Sequence, residues 1–241
     1  MNDSAEDSGK TIIYRYKFAF DNGREKEFEI ELDRKSLALV QPKREAYPQW
    51  VELKCLQCPI CPLEEDKHRY CPIAENVVGI IEFFGDLISY ERVYISIRNE
   101  SRTYEKCTTL QKGVSSLLGI YMVTSGCPIM DKLRPMVCYH LPFATPGETR
   151  YRAMSMYLMA QYLLYKRGRE PDWDLKKLVK IYDDIQVVNR SFCKRLANTK
   201  IKDATINALV ILDNFANYVT LSINGKKLSE MEALFSPYFD E

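Results

Sequence analysis

The first strong pattern along the chain is an alternation. From Thr11 to Phe20 the large side chains Tyr14, Tyr16, Phe18 and Phe20 fall on every second position, with Arg15, Lys17 and Ala19 between them. In an extended backbone such spacing sends one set to one face of a strand and the other set to the opposite face. Asp21-Asn22-Gly23 then supplies turn residues tolerant of positive φ, after which Phe28, Ile30 and Leu32 alternate with Glu27, Glu29 and Glu31. The two runs predict a β-hairpin with one buried and one wet face. A connection carrying Pro42 and Pro48 leads to a predicted third strand from Trp50 to Leu56. A second hairpin is expected from Tyr90 to Arg98 and Arg102 to Thr108, turning at Asn99-Glu100-Ser101.

Elsewhere the apolar spacing becomes helical. Val77, Val78, Ile80, Ile81, Phe84, Leu87 and Ile88 follow Pro72, a residue suited to a first helical turn. Leu110, Val114, Leu117, Leu118, Tyr121 and Met122 predict a second helix, stopped by Ser125-Gly126. Thr145-Pro146-Gly147-Glu148 combines an N-cap, a first-turn proline and a capping-box glutamate, so a long helix starts there and runs to about Arg167. Asp172 caps the next, whose apolar stripe runs from Leu175 to Leu196; Asp203 to about Ile223 forms another, and a short helix is expected near Leu228 to Phe235.

The pattern predicts an α+β fold, with N-terminal β-hairpins, two helices and a cysteine-rich loop followed by a C-terminal helical bundle. The expected organisation is a disordered tail at 1–10, an α+β metal-binding subdomain at 11–140 and a helical bundle subdomain at 141–241.

Composition narrows the partners. A chain of 241 residues, 46% hydrophobic, can bury a core without an external staple. Its net charge of +1 offers no basic excess for phosphates, so neither nucleic acid nor an anionic membrane is expected as a partner. No apolar run approaches a bilayer-spanning length, and the acidic, polar start Met1-Asn2-Asp3-Ser4 lacks the basic and greasy character of a secretory signal, so a cytoplasmic location is expected. In that reducing compartment, clustered cysteines read as metal ligands before disulfides.

The cysteines carry the chemistry. Residues 55 to 72 read Cys55-Leu-Gln-Cys58-Pro-Ile-Cys61-Pro through His68-Arg-Tyr-Cys71-Pro72, and such spacing lets several thiols converge on one ion or cluster. Four of the eight cysteines, Cys58, Cys61, Cys71 and Cys127, precede one of only eleven prolines. A proline fixes the backbone after the ligand and removes one N–H, so neighbouring amides are left to hold the thiolate. The expected ligands are therefore Cys58, Cys61, Cys71 and Cys127, with Cys55 and His68 as alternates. Zinc is slightly favoured over [4Fe-4S]. The Cys58-Pro-Ile-Cys61 knuckle suits zinc, while Cys55, Cys58 and Cys61 follow the first three ligands of a bacterial ferredoxin. That pattern would place the Cys-Pro ligand after three residues, whereas here Pro62 to Tyr70 intervene.

Cys107, Cys138 and Cys193 are expected as core or near-core packing. His140 is open to two readings, a proton carrier or a hydrogen-bonded structural residue, and a nucleophilic Cys138/His140 pair is a further option. Between the second and third helices, Lys132 and Arg134 could serve an anion or simply face water. No phosphate-binding glycine loop, H-E-x-x-H or G-x-S-x-G motif occurs in the sequence.

The motifs Cys58-Pro-Ile-Cys61-Pro-Leu, Tyr70-Cys71-Pro, Gly119-Ile-Tyr-Met-Val-Thr-Ser-Gly-Cys127-Pro, His140-Leu-Pro-Phe-Ala-Thr145 and Asn207-Ala-Leu-Val-Ile-Leu-Asp213, taken in order, resemble an uncharacterised bacterial domain-of-unknown-function family with repeated Cys-Pro motifs. The resemblance spans nearly the whole chain beyond the tail. It implies no activity, and it adds weight to Cys127 as a ligand. Three functions remain open: a structural or regulatory metal site in a protein that binds a protein or small-molecule partner, an iron–sulfur redox protein, sensor or enzyme, and a metal-free helical scaffold forming a homodimer.

Overall fold

Tyr14, Tyr16, Phe18 and Phe20 all turn to the buried side of the first strand, β1 (Thr11–Phe20), and the sheet is built outward from them. The computed structural model describes residues 9–199, 203–224 and 231–239. β1 pairs antiparallel with β2 (Glu25–Asp33), matching Tyr14 with Ile30 and Tyr16 with Phe28. The short β3 (Leu39–Val40) extends that edge. On its other side β1 pairs with β4 (Arg92–Arg98), setting Phe18 opposite Ile95 and Phe20 opposite Val93, and β5 (Thr103–Thr109) closes the order β3-β2-β1-β4-β5. A slip of one residue would turn every one of these side chains to water, so burial enforces the register. On the wet face Arg15 pairs with Glu29 at 2.8 Å and Lys17 with Glu25 at 2.7 Å, exposed pairs that add little stability.

Helices α1 (Pro72–Phe84) and α2 (Leu110–Thr124) cover the apolar face. Phe84 stands edge-on to Phe18 at 5.0 Å between ring centroids and stacks on Phe28 at 5.4 Å. At Gly113 the helix comes so near the sheet that an added Cβ would lie 2.1 Å from Ile95 Cδ1 and 2.8 Å from Phe18 Cε1. Behind them lie α3 (Pro146–Lys166), α4 (Lys176–Ala197) and α5 (Asp203–Asn224). α5 packs along both α2 and α4, so α2 is sandwiched between the sheet and the bundle. One hydrophobic cluster runs without a break from Tyr14 in β1 to Val219 in α5.

Local signals place the helix starts. At Thr145 the capping box is complete: the Glu148 amide donates to Thr145 Oγ1 at 3.3 Å and the Thr145 amide to Glu148 Oε2 at 2.7 Å. Asp172 receives the Lys177 amide at 2.7 Å and the Lys176 amide at 3.3 Å, although Leu175 is the residue immediately before α4. Asp203, at the start of α5, accepts from the Ser89 hydroxyl at 2.6 Å. Against the expectation that no apolar run approaches a bilayer-spanning length, α5 is by length and composition the one described helix long and apolar enough to cross a membrane; here its sides meet α2, α3 and α4.

Two expectations of secondary structure are corrected. Trp50 to Leu56 is not a strand: Gln49–Val51 makes a 3-10 turn after Pro48, and only Glu52 forms a bridge, to Tyr70. Four of its carbonyls, those of Trp50, Glu52, Leu53 and Leu56, accept from an arginine described below, and that of Val51 accepts from the Cys71 amide. The first helix ends at Phe84 rather than Ile88. The connection after α2 is largely a 3-10 segment, Met130–Tyr139, irregular around Pro135. Of the expected tail, residues 1–8 lie outside the described residues, as do 225–230 of the closing segment, where Ala233–Tyr238 forms a 3-10 helix.

Phe84 is fully buried among three other phenylalanines, so Phe84→Ala is expected to lower unfolding free energy by about 3–5 kcal/mol through lost burial and a residual cavity. Urea denaturation of the two proteins reads this directly, and a loss below about 1 kcal/mol would mean that the aromatic cluster is not the anchor of the sheet–helix contact.

Candidate functional site

The cysteine-rich loop begins with a knot of backbone carbonyls. Arg195, in the last turn of α4, is only 2% exposed. Its Nη1 donates to the carbonyls of Trp50 and Glu52, both at 2.7 Å, and its Nη2 to those of Leu56 at 3.0 Å and Leu53 at 3.3 Å. Leu56 adopts φ +58°, a left-handed conformation that costs a leucine about 1 kcal/mol, and its carbonyl is one of the four acceptors. No carboxylate partners Arg195 among the described residues. The neck of the loop is closed by the Leu53 amide donating to Arg69 O and the Cys71 amide donating to Val51 O, each at 2.9 Å.

Inside that frame Cys58, Cys61, Cys71 and Cys127 line one small cavity together with Arg195. Leu53, Ile73, Ile129, Val188 and Phe192 supply its apolar walls. Each cysteine arrives by a local device. The Cys61 amide donates to Cys58 O at 3.0 Å, folding the Cys-Pro-Ile-Cys segment into a tight turn. Cys71 is the N-cap residue of α1, with Pro72 in the first turn. Cys127 follows Gly126, whose φ of +88° lets the chain reverse after α2. Asn76 Nδ2 joins the last two segments, donating to Pro72 O at 2.7 Å and Ser125 O at 3.3 Å.

Burial pushes the thiols of Cys58 and Cys71 upward and that of Cys127 to about 11, and each of the three feels at least one other cysteine of the set. Backbone amides oppose this. Those of Ile73 and Ala74 bear on the Cys71 sulfur without closing a full capping hydrogen bond, and those of Met130 and Ile129 bear on Cys127. These amides belong to residues just beyond the proline, as the missing proline N–H requires. Among the described residues no three His, Cys, Asp or Glu side chains meet as a group able to hold a single metal ion. The four cysteines line a cavity of only about 20 Å³.

The other sequence candidates fall elsewhere. Cys55 and His68 do not line the cavity; Cys55 is half-buried and His68 is exposed in the loop. Cys107 and Cys138 are exposed, against the expectation of core packing; Cys107 pairs with Tyr94 on the wet face of the sheet. Cys193 is half-buried in α4, and burial raises its thiol to about 11. Arg134 is already paired with Asp131 and donates to Ser36 O at 3.3 Å, while Lys132 is exposed. His140 lies 2.6 Å through Nε2 from the Tyr16 hydroxyl and edge-on to Tyr14, and Cys138 makes no bond to it. Burial, aided by the charge of Arg152, holds its imidazole down at about 3, so it is neutral near pH 7 and structural.

Arg195 was missed in the sequence. The available signal was an arginine three residues after Phe192, on the apolar stripe of α4 where a charge needs a partner.

A family model described as a domain of unknown function (DUF6901) matches residues 12–236. No curated protein and no solved structure matches the chain.

Arg195→Met strands four inward carbonyls, so it is expected to cost about 3 kcal/mol or more and to raise hydrogen exchange at the Cys71 amide while β1 amides keep their protection. Unchanged exchange at Cys71 would mean the loop stands without the arginine. His140 gives a pH signature. Its folded value of about 3 lies below the ordinary 6.5, so the unfolded chain takes up the proton first. The stability this contributes is complete above about pH 6.5 and is lost as pH falls toward 3, at up to about 1.4 kcal/mol per pH unit. Tyr14, Tyr16, Ser116 and Arg152 are the groups that face the ring. Urea titrations between pH 7 and pH 4 should show a shallower slope for His140→Gln; equal slopes would remove His140 as the cause.

Proposed function

We propose a function for this chain, which belongs to the DUF6901 family, from its site alone: a cysteine-ligated metalloprotein in which Cys58, Cys61, Cys71 and Cys127 hold one metal centre, zinc before a [4Fe-4S] cluster, acting as a structural or regulatory tie. The reading rests on one observation: four thiols from three separate stretches of chain line one cavity with a buried arginine that no carboxylate partners.

Charge explains why these features belong together. Four protonated thiols would leave the guanidinium as the uncompensated charge of the cavity, a costly arrangement in a low-dielectric interior. Four thiolates around a metal core carry net negative charge, which Arg195 and the amides beside Cys71 and Cys127 offset. Spacing separates the two metals weighed from the sequence. Zinc, at roughly 2.3 Å from each sulfur, draws four thiolates into one tetrahedron. A cube of iron and sulfide holds its thiolates apart around a larger core. A cavity of only about 20 Å³, room for a single water-sized guest, fits the ion and not the cube, which supports the slight preference for zinc.

The surroundings favour a tie over a reaction centre. Apart from the cysteines, Arg195 is the one ionisable residue lining the cavity among the described residues, and none of them offers an acid or base beside it. Such a centre would hold the loop, the first turn of α1 and the reversal after α2 against α4. It requires a reducing compartment, in keeping with eight unpaired cysteines.

Metal analysis of anaerobically purified protein should find about one zinc per chain and no iron. Cys61→Ser and Cys127→Ser should each lower zinc content and stability together, and Cys55→Ser should leave both unchanged. Brown protein that bleaches in air and holds about four irons and four acid-labile sulfides would replace the ion by a cluster, and protein free of both metals whose Cys61→Ser variant is equally stable would end the metal reading.

A further inference from the structure

A second, much larger cavity lies against the neighbouring face of α4. It measures about 450 Å³ and is enclosed by α2, the Met130–Tyr139 segment, the start of α3, α4 and α5. That size falls within the range of about 300–1,000 Å³ typical of pockets that enclose a small organic molecule. Ile120, Val123, Leu133, Leu212 and Phe215 make its walls mostly apolar.

Its charge is one-sided. Arg152, Lys106 and Lys112 line it, and among the described residues no aspartate or glutamate does, although the Glu148 carboxylate, held by the Thr145 cap, lies near enough to act on Arg152 and Lys106. The two lysines are exposed, whereas Arg152 is partly buried beside His140 and Tyr182. Among the described residues Arg152 makes one hydrogen bond, from Nη2 to Met136 O at 3.0 Å, and no ion pair. Its other guanidinium donors are uncommitted. A second polar group is also left unmatched: Asn189, 1% exposed and lining the cavity, has its Oδ1 buried without a hydrogen-bond partner.

We infer that this cavity is a binding site for a long-chain monocarboxylate, its carboxylate held by Arg152 and its hydrocarbon chain lying along Ile120, Val123 and Phe215. The guanidinium fork matches the two oxygens of a carboxylate. One interior cation balances one negative charge, which suits a carboxylate better than a doubly charged phosphate. The apolar walls reward a tail, and the exposed lysines attract an anion to the entrance. The site uses none of the cysteines and stands apart from the metal reading.

Isothermal titration calorimetry of the full chain with dodecanoate, kept below its micelle concentration, tests the assignment. Saturable one-to-one binding is expected, weakening about three- to fourfold for each methylene removed on the way to octanoate. Dodecan-1-ol should bind about tenfold more weakly or worse, because it leaves Arg152 unmatched. Arg152→Gln should weaken dodecanoate by about tenfold or more with an unchanged circular dichroism spectrum. Should that variant not fold, Gly119→Leu, which places a side chain into the cavity and leaves its charges alone, should weaken dodecanoate more than octanoate. Absence of saturable dodecanoate binding overturns the proposal, as does equal affinity for dodecan-1-ol, tighter binding of dodecyl phosphate, or indifference to both variants.

Discussion

A guanidinium buried without a carboxylate is the constraint around which the cysteine half of this protein is organised. Arg195 leaves the apolar stripe of α4 and takes four carbonyls from the loop that begins at Trp50. Carbonyl dipoles solvate the charge but do not neutralise it, and dehydrating an ion costs several kcal/mol even after a protein relaxes around it. The same demand explains the shape of the loop. A segment that would otherwise read as a strand forms a 3-10 turn, and Leu56 takes a left-handed conformation, because carbonyls must point inward from successive residues. The loop then presents Cys58 and Cys61 to the cavity where α1 and the end of α2 deliver Cys71 and Cys127.

Much of this was legible, and what was legible was local. The alternation from Tyr14 to Phe20 and from Phe28 to Leu32 reports the β1–β2 hairpin because neighbouring positions in a strand face opposite ways. The capping box at Thr145 is readable because its partners are three residues apart. The four Cys-Pro pairs stand out for the same reason, and they led to Cys127, far along the chain from the other three, without knowledge of the fold. What failed depended on distant residues. Trp50 to Leu56 carries strand-like apolar positions, but its conformation is decided by Arg195, roughly 140 positions away. Cys107 and Cys138 were assigned to the core from residue type, yet Cys107 sits on the strand face opposite the buried positions of β4, a matter of register that cysteine content does not reveal. The larger cavity is likewise invisible in the sequence, since its walls come from elements that meet only after the bundle forms.

Polar groups beneath the sheet show how the two halves are joined. Tyr14 donates to Val137 O at 2.8 Å, and Tyr16 meets His140, so two residues of the first strand reach into the 3-10 segment after α2. Tyrosine suits this place because its ring fills the apolar layer while its hydroxyl finds a partner beyond it. The strand pattern that begins the fold thereby fixes the connection that forms one wall of the larger cavity.

The two cavities share more than proximity. On α4, Val188 and Phe192 line the cysteine cavity while Ile185 and Asn189 line the larger one; after α2, Ile129 faces the first and Met130 the second. An α-helix is stiff over one turn, and closely packed side chains have few alternative arrangements. A shift of this turn as a unit would therefore move Val188 and Phe192 in the cysteine cavity together with Ile185 and Asn189 in the larger one. Coupling between two sites requires an element with two arrangements that both sites bias, and the shared turn is where such an element would have to lie.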